Sequence, residues 1–239
     1  MEHDYLKETS ILNFSDGKIR SLTENRGWKN LGEYEKVKAI YDFVKDEIKF
    51  GYNVSDDIKA SEVLTDGYGQ CNTKGTLLMA LLRGCGIPCR VHAFNIDKLL
   101  QKGAMTGFVY KKAPQKIFHS WVEVLCENEW YNLEGFILDK DYLDGLKRKF
   151  PSVGHGEFFG YGVAVKDFSD LQVCFNGNDT YIQSEGIVDD FGVYDSPDEM
   201  YKEHGQNMKG LKKAAYAVLG RRLMNRNVNK IRSEKADNK

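Results

Sequence analysis

Cys71 is the residue in this sequence best placed for chemistry. It follows the glycine-bearing segment Asp66-Gly67-Tyr68-Gly69-Gln70 and opens a stretch, Cys71 to Cys85, that reads as a buried helix. Leu77, Leu78, Ala80, Leu81 and Leu82 make that helix apolar nearly all round, and Gly84, Gly86 and Pro88 end it. A thiol at a helix start meets unpaired N–H groups and the positive end of the helix dipole, which stabilise the thiolate. The same N–H groups, that of Cys71 included, can hold the oxyanion of a tetrahedral intermediate. Taken alone, the plainer reading is a small residue packed at a helix start.

His119 changes the balance. It begins a strand that continues Ser120-Trp121-Val122-Glu123-Val124, so its imidazole stands at a strand end beside a large indole. There it can deprotonate Cys71, or form a thiolate–imidazolium pair with it, and later protonate a leaving group. A third group must orient the imidazole. Glu134 lies four residues into the strand that returns after the turn Glu127-Asn128-Glu129, and pairing of the two strands brings it back beside His119. Asp139 is a further acid in a less natural register.

The remaining candidates carry less. Gln70 is placed either to polarise a carbonyl at the nucleophile or to cap the Cys71 helix, and Trp121 either walls the cleft or packs in the core. Cys85 and Cys89 are four apart with no second ligand pair, which favours packing over a metal site. His92 reads as one structural residue of an alternating strand, and His155 as part of a glycine-flanked loop. Asp139, Asp141 and Asp144 lack the spacing and closing Glu of a calcium loop. Gly160-Tyr161-Gly162 is not followed by the helix a phosphate loop requires. No cofactor or metal is expected.

These residues need a scaffold, and the hydrophobic pattern outlines one. The first 30 residues look irregular. Val37, Ile40, Tyr41, Val44 and Ile48 then form one apolar stripe on a helix that starts near Glu33 and ends before Gly51. Arg90 to Phe94 and Trp121 to Leu125 alternate with period two, and Trp130 to Leu133 reads as the returning strand of a hairpin. Helices followed by antiparallel strands indicate an α+β fold. After about Leu146 glycine and aromatics dominate, with strand-like Val163 to Val165 and Gln172 to Phe175. A basic amphipathic helix from Lys209 to about Asn225 follows, and the last residues read as a disordered tail. The expected organisation is an arm at 1–32, a catalytic core at 33–146, an extension at 147–232 packed on that core, and a tail at 233–239.

Three blocks carry a family resemblance. Gly69-Gln70-Cys71, with Leu77-Leu78-Met79-Ala80-Leu81-Leu82-Arg83-Gly84-Cys85-Gly86-Ile87-Pro88-Cys89-Arg90-Val91, resembles the core block of the transglutaminase-like superfamily. His119-Ser120-Trp121-Val122-Glu123-Val124 resembles its His-x-Trp-x-Glu-Val block. Trp130-Tyr131-Asn132-Leu133-Glu134 is similar to its third block, with Glu where Asp is usual. The helix carrying Ile40-Tyr41-Asp42-Phe43-Val44 also fits, so the likeness covers about residues 33 to 140. The segments Asp190-Phe191-Gly192 and Asp195-Ser196-Pro197-Asp198-Glu199 are similar to those of small bacterial transglutaminase-like proteins of unassigned function.

The resemblance implies a papain-like fold, in which a Cys-bearing helix packs on an antiparallel sheet that carries the His and the acid. It also implies attack on an amide or thioester carbonyl through a thioester acyl-enzyme, with a peptide or protein amide as substrate. Without the accessory domains of the large animal transglutaminases, hydrolysis by a peptidase, amidase or deamidase is expected ahead of crosslinking. The rival expectation is a catalytically silent fold of the same type that serves as a binding or scaffold module.

Composition narrows the setting. The net charge is −1, which gives no general reason to expect a nucleic-acid partner. Charge is uneven, however: Lys209 to Lys239 holds ten Lys or Arg against two acids, leaving about −9 on the remainder. The basic helix can therefore contact an acidic partner, although solvation of its charges is the commoner fate. Met1 to Ser10 lacks the apolar core of a secretory signal, and no run reaches the ~18 apolar residues of a membrane span. Five sparse cysteines suit reduced thiols, so a cytoplasmic location is expected.

Overall fold

A computed structural model describes residues 4–105, 107–204 and 220–234. Helices and strands follow the chain as α1 (Gly17–Asn25), α2 (Glu33–Asp46), β1 (Lys49–Phe50), α3 (Ala60–Asp66), β2 (Tyr68–Gly69) and α4 (Cys71–Gly84). Then come β3 (Cys89–Asp97), α5 (Gly107–Lys112), β4 (Lys116–Cys126), β5 (Glu129–Leu133) and α6 (Lys140–Lys149). The remainder is β6 (Phe158–Gly160), β7 (Val163–Val165), β8 (Ile187–Tyr194), α7 (Pro197–His204) and α8 (Arg221–Arg232).

The apolar pattern of α4 dictates its place. With nonpolar side chains nearly all round, it must be enclosed, and every residue from Asn72 to Arg83 is buried. It packs against α2 and α3 on one side and β4 on another. Amphipathic α2 turns Val37, Ile40, Tyr41 and Val44 into the same core and keeps its charged face outward.

The main sheet has the order β5-β4-β3-β8, with every neighbouring pair antiparallel. Glu127 and Asn128, at φ of 51° and 68°, close the β4–β5 hairpin with two left-handed residues, the turn that suits the twist of the flanking strands. His119 sits opposite Phe94, and Val122 opposite Leu133. The fold is thus α+β, with a Cys-bearing helix packed on an antiparallel sheet. Edge strand β8 comes from beyond residue 147, so the extension is part of the sheet that carries His119.

Several local expectations need correction. The first 30 residues hold a helix, α1, capped by the Asp16 side chain on the Lys18 N–H. Only Ile19 and Thr23 of α1 are buried, too few to print a stripe in the sequence. Gln172 to Phe175 forms no strand: Val173 and Phe175 are buried, but the chain turns locally, and Val173 lends its carbonyl to the Tyr41 hydroxyl at 3.0 Å. The Lys209 end of the expected basic helix lies outside the described residues. Its C-terminal part does not stop at Asn225, because Met224, Val228 and Ile231 continue a buried stripe to Arg232. Arg232 is fastened to the buried carboxylate of Asp139 and to the Phe50 carbonyl.

Candidate active site

The chain reaches Cys71 through two glycines with separate duties. Gly67, at φ 69°, caps α3 in the left-handed conformation and donates to the Val63 carbonyl. At Gly69 a β-carbon would stand 2.6 Å from Thr73 Oγ1 and 3.2 Å from the Lys74 nitrogen, so only glycine lets β2 pass this close to α4. The Gln70 N–H then donates to Thr73 Oγ1 at 3.0 Å, which sets the first turn of α4. Cys71 is the first helical residue, a free thiol of intermediate exposure, and N–H groups at this position have no intrahelical acceptor.

A buried polar network holds the neighbours of Cys71. Asp56 accepts from Gln70 Nε2 and, at 3.1 Å, from Asn72 Nδ2, so one carboxylate grips the residues on either side of Cys71. Gln70 Oε1 accepts from the Asn53 N–H at 2.9 Å, and Asn53 Oδ1 accepts from the Thr73 hydroxyl at 2.6 Å. Gln70 is therefore engaged at both ends of its amide in bracing the turn. Asn72 Oδ1 accepts from Ser120 Oγ at 2.9 Å, which ties the residue after the cysteine to the residue after the histidine.

His119 and Glu134 are both fully buried. His119 Nε2 and Glu134 Oε1 are 2.8 Å apart, leaving Nδ1 as the nitrogen available to Cys71. Nδ1 makes no well-formed hydrogen bond among the described residues. Burial works against a charge on this imidazole. The pull of Cys71, chiefly by charge, and then of Glu134 outweighs that penalty and lifts its pKa to about 10. His119 is thus drawn toward its charged form between Cys71 and Glu134.

The longer arm of Glu134 is accommodated from the extension. Glu134 Oε2 accepts from the N–H groups of Ile182 and Gln183, both at 2.9 Å. The Glu134 N–H donates to the Thr180 carbonyl at 3.0 Å, and the Gly135 N–H donates to the Thr180 hydroxyl at 3.1 Å. Residues 180–183 therefore fix the carboxylate against the end of β5. Trp121, two residues beyond His119, packs its ring 4.1 Å from that of Phe94, and its buried indole N–H is without a hydrogen-bond partner among the described residues.

The other candidates stand apart from this cluster. Asp139 is buried but turned to Arg232, the Phe50 N–H and the Tyr142 N–H, and is held below the usual carboxylate range despite its burial. Cys85 and Cys89 are free buried thiols that burial pushes upward, Cys89 to about 11. His92 bridges Glu123 and Asp190 at 2.8 Å each, and exposed His155 meets Ser169, in the segment after β7, at 2.7 Å. One turn beyond Cys71, the enclosed Lys74 donates to the carbonyls of Lys45 and Ile137, both at 3.1 Å, and burial lowers its pKa to about 7.

Sequence reasoning missed Asp56, Asn72, Ser120 and residues 180–183. The two polar residues directly after Cys71 and His119 were a usable signal. The Ile182 and Gln183 contribution is made by backbone N–H groups, which no residue type announces.

Residues 21–135 match the family model of the transglutaminase-like superfamily. The chain carries a transglutaminase-like core. The family match ends one residue after Glu134, so the residues 180–183 that hold this carboxylate lie beyond it. Among solved structures, the chain resembles a cysteine protease candidate from Cytophaga hutchinsonii at 16% identity and a TM-score of 0.47, over 82% of this chain and 47% of that one. A protease candidate from Parabacteroides distasonis ATCC 8503 follows at 18% identity and a TM-score of 0.35, over 52% and 24% of the two chains. Red sea bream transglutaminase shares 16% identity at a TM-score of 0.32, over 52% and 25%. The chain thus spans less than half the length of each of these three. No curated protein sequence matches it. No helix among the described residues is long and apolar enough to cross a membrane.

Proposed function

We propose that this protein is a cysteine enzyme that hydrolyses or transfers an acyl group at an amide bond of a peptide or protein. Cys71 is the nucleophile, His119 its base and then its acid, and Glu134 the group that orients and charges the imidazole. One observation carries the reading: a fully buried His119 has Nε2 held at 2.8 Å by Glu134 and is drawn toward its charged form by Cys71 at the start of α4.

Attack by the Cys71 sulfur on the amide carbon forms a tetrahedral oxyanion, which the first-turn N–H groups of α4 face. Collapse breaks the C–N bond as His119 gives its proton to the leaving amine, and an acyl-thioester remains on Cys71. Water, or a second amine, deprotonated by the now neutral His119, attacks the thioester and releases the thiol. Gln70 braces the turn, and Trp121 walls the His119 side of the cleft.

Hydrolysis stands ahead of crosslinking in this proposal, and the experiment separates the two. Purified protein is incubated with casein and a fluorescent primary amine. New carboxyl groups, read by mass spectrometry as new carboxyl termini or as glutamine converted to glutamate, are scored as hydrolysis, and label in the casein as transfer. Both signals are expected to vanish in Cys71→Ala. Activity that persists in that variant would sink the proposal, and a folded wild type inert toward a broad panel of amides would leave the silent binding module in its place.

A further inference from the structure

The basic helix of the extension offers a site that the acyl chemistry does not use. α8 is firmly seated. Asn225 accepts from the Tyr52 N–H at 2.7 Å and donates to the Tyr52 carbonyl at 3.1 Å. Asn227 donates to the carbonyls of Gly103 and Ala104, and Arg232 bridges Asp139 and the Phe50 carbonyl. Met224, Val228 and Ile231 complete the docked face. The opposite face is therefore held outward in a fixed register.

That face lines a concavity of about 620 Å³ with Tyr68 at one wall. Among the described residues its cations are Arg221, Arg222, Arg226 and Lys230, its other residues are Asn225, Asn229 and Ser233, and none of them is a carboxylate. Arg222, Arg226, Asn229 and Ser233 follow one another at helical spacing, and all four are exposed. Among the described residues, Arg222, Arg226 and Lys230 are in no ion pair, and Arg221 reaches only the Tyr68 hydroxyl at 3.4 Å. Other exposed basic residues of this protein do find acids, as Arg26 does with Glu47 and Lys116 with Asp189.

Four like charges on two and a half turns of helix repel one another, and nothing in the described structure offsets them. Three of the four are guanidiniums, whose planar fork of donors suits phosphate oxygens in pairs. From Arg222 to Lys230 the helix rises roughly 12 Å, and the concavity is of the size small ligands occupy, about 300–1,000 Å³. A compact ligand with several phosphates concentrates its charge on that scale. A peptide carboxylate brings one charge per residue.

We propose that the groove along α8 binds a small molecule carrying several phosphate groups. Neither Cys71, His119 nor Glu134 lines it, so the site stands or falls separately from the acyl chemistry.

Inorganic tripolyphosphate is titrated calorimetrically into the full-length protein in 50 mM and 300 mM NaCl, with a hexaglutamate peptide as the competing chemistry. The expected result is saturable one-site binding of tripolyphosphate that weakens steeply with salt. It falls at least tenfold in R222Q/R226Q and measurably in K230Q, with melting temperatures no lower than wild type because these side chains are exposed and their mutual repulsion is relieved. Equal binding by wild type and R222Q/R226Q, no saturable binding in 50 mM NaCl, or tighter binding of hexaglutamate than of tripolyphosphate would each overturn the proposal.

Discussion

The two halves of the candidate site are built by different means. Cys71 is held locally: Asn53, Asp56, Gln70, Asn72 and Thr73 lie within twenty positions of one another and form one buried hydrogen-bond network around it. The acid is held at long range. Glu134 takes its supporting N–H groups from Ile182 and Gln183, 48 and 49 positions downstream. The local half requires particular side chains in a short segment. The distant half requires only that a loop pass at the right place. The carboxylate side should therefore depend on the docking of the extension, and the thiol side should not.

The largest effect expected from breaking the comparison is at Glu134. Glu134→Gln keeps the shape but removes the charge behind His119, and by analogy with a triad deprived of its carboxylate the turnover should fall ~10²–10⁴-fold. Glu134→Asp should also lose activity, though less, because a shorter arm cannot span both His119 and the Ile182 and Gln183 N–H groups. Steady-state amide cleavage checks both. A fully active Glu134→Asp would show that the loop at 180–183 is not fitted to glutamate.

The thiol side makes a pH prediction through Lys74. Its folded pKa of about 7 lies below the ordinary value of 10.5, so the unfolded chain holds more protons between those limits. Stability from this group is therefore reduced in full below pH 7 and recovers as pH rises toward 10.5, with a limiting slope of about 1.4 kcal/mol per pH unit. His119 runs the opposite way: raised to about 10 from 6.5, its contribution is present below 6.5 and lost as pH climbs through 10. Comparing wild type with Lys74→Met by urea unfolding at several pH values isolates the lysine. Wild type should gain on the variant from pH 7 to 10, and parallel curves would refute the assignment.

Smaller effects should follow from the network. Asp56→Ala leaves Gln70 Nε2 and Asn72 Nδ2 without their acceptor and should cost about 1–3 kcal/mol in denaturant midpoint stability. At the link between the two halves, a double-mutant cycle of Asn72→Ala and Ser120→Ala should give a coupling of about 1 kcal/mol. Strict additivity would mean that the 2.9 Å contact does not tie the cysteine helix to the histidine strand.

The same contrast explains what could be read from the sequence. The helix start at Cys71 and the hairpin return to Glu134 were legible because the glycine turn and the polar turn at 127–129 mark them locally, whereas His119, read as a strand start, is the fourth residue of β4, which begins at Lys116. The α+β order and the burial of α4 followed from hydrophobic period alone. α1 escaped because only Ile19 and Thr23 are buried, and Gln172 to Phe175 misled because two buried residues in a turning segment mimic alternation. β8 was not read as a strand because its residues, Ile187 to Tyr194, include Asp189 and Asp190 at an edge where one face meets solvent. The clamp on Glu134 left no trace, since backbone N–H groups are common to every non-proline residue.

The central claim is that His119, charged between Cys71 and Glu134, activates the thiol. Its most direct test is the rate of iodoacetamide alkylation at each cysteine at pH 7, resolved by mass spectrometry, in wild type and His119→Ala. Cys71 should react fastest in wild type, ahead even of the exposed Cys174, and should slow at least tenfold in the variant while Cys174 stays unchanged. A Cys71 that reacts no faster than Cys174 and is indifferent to His119 would contradict the account.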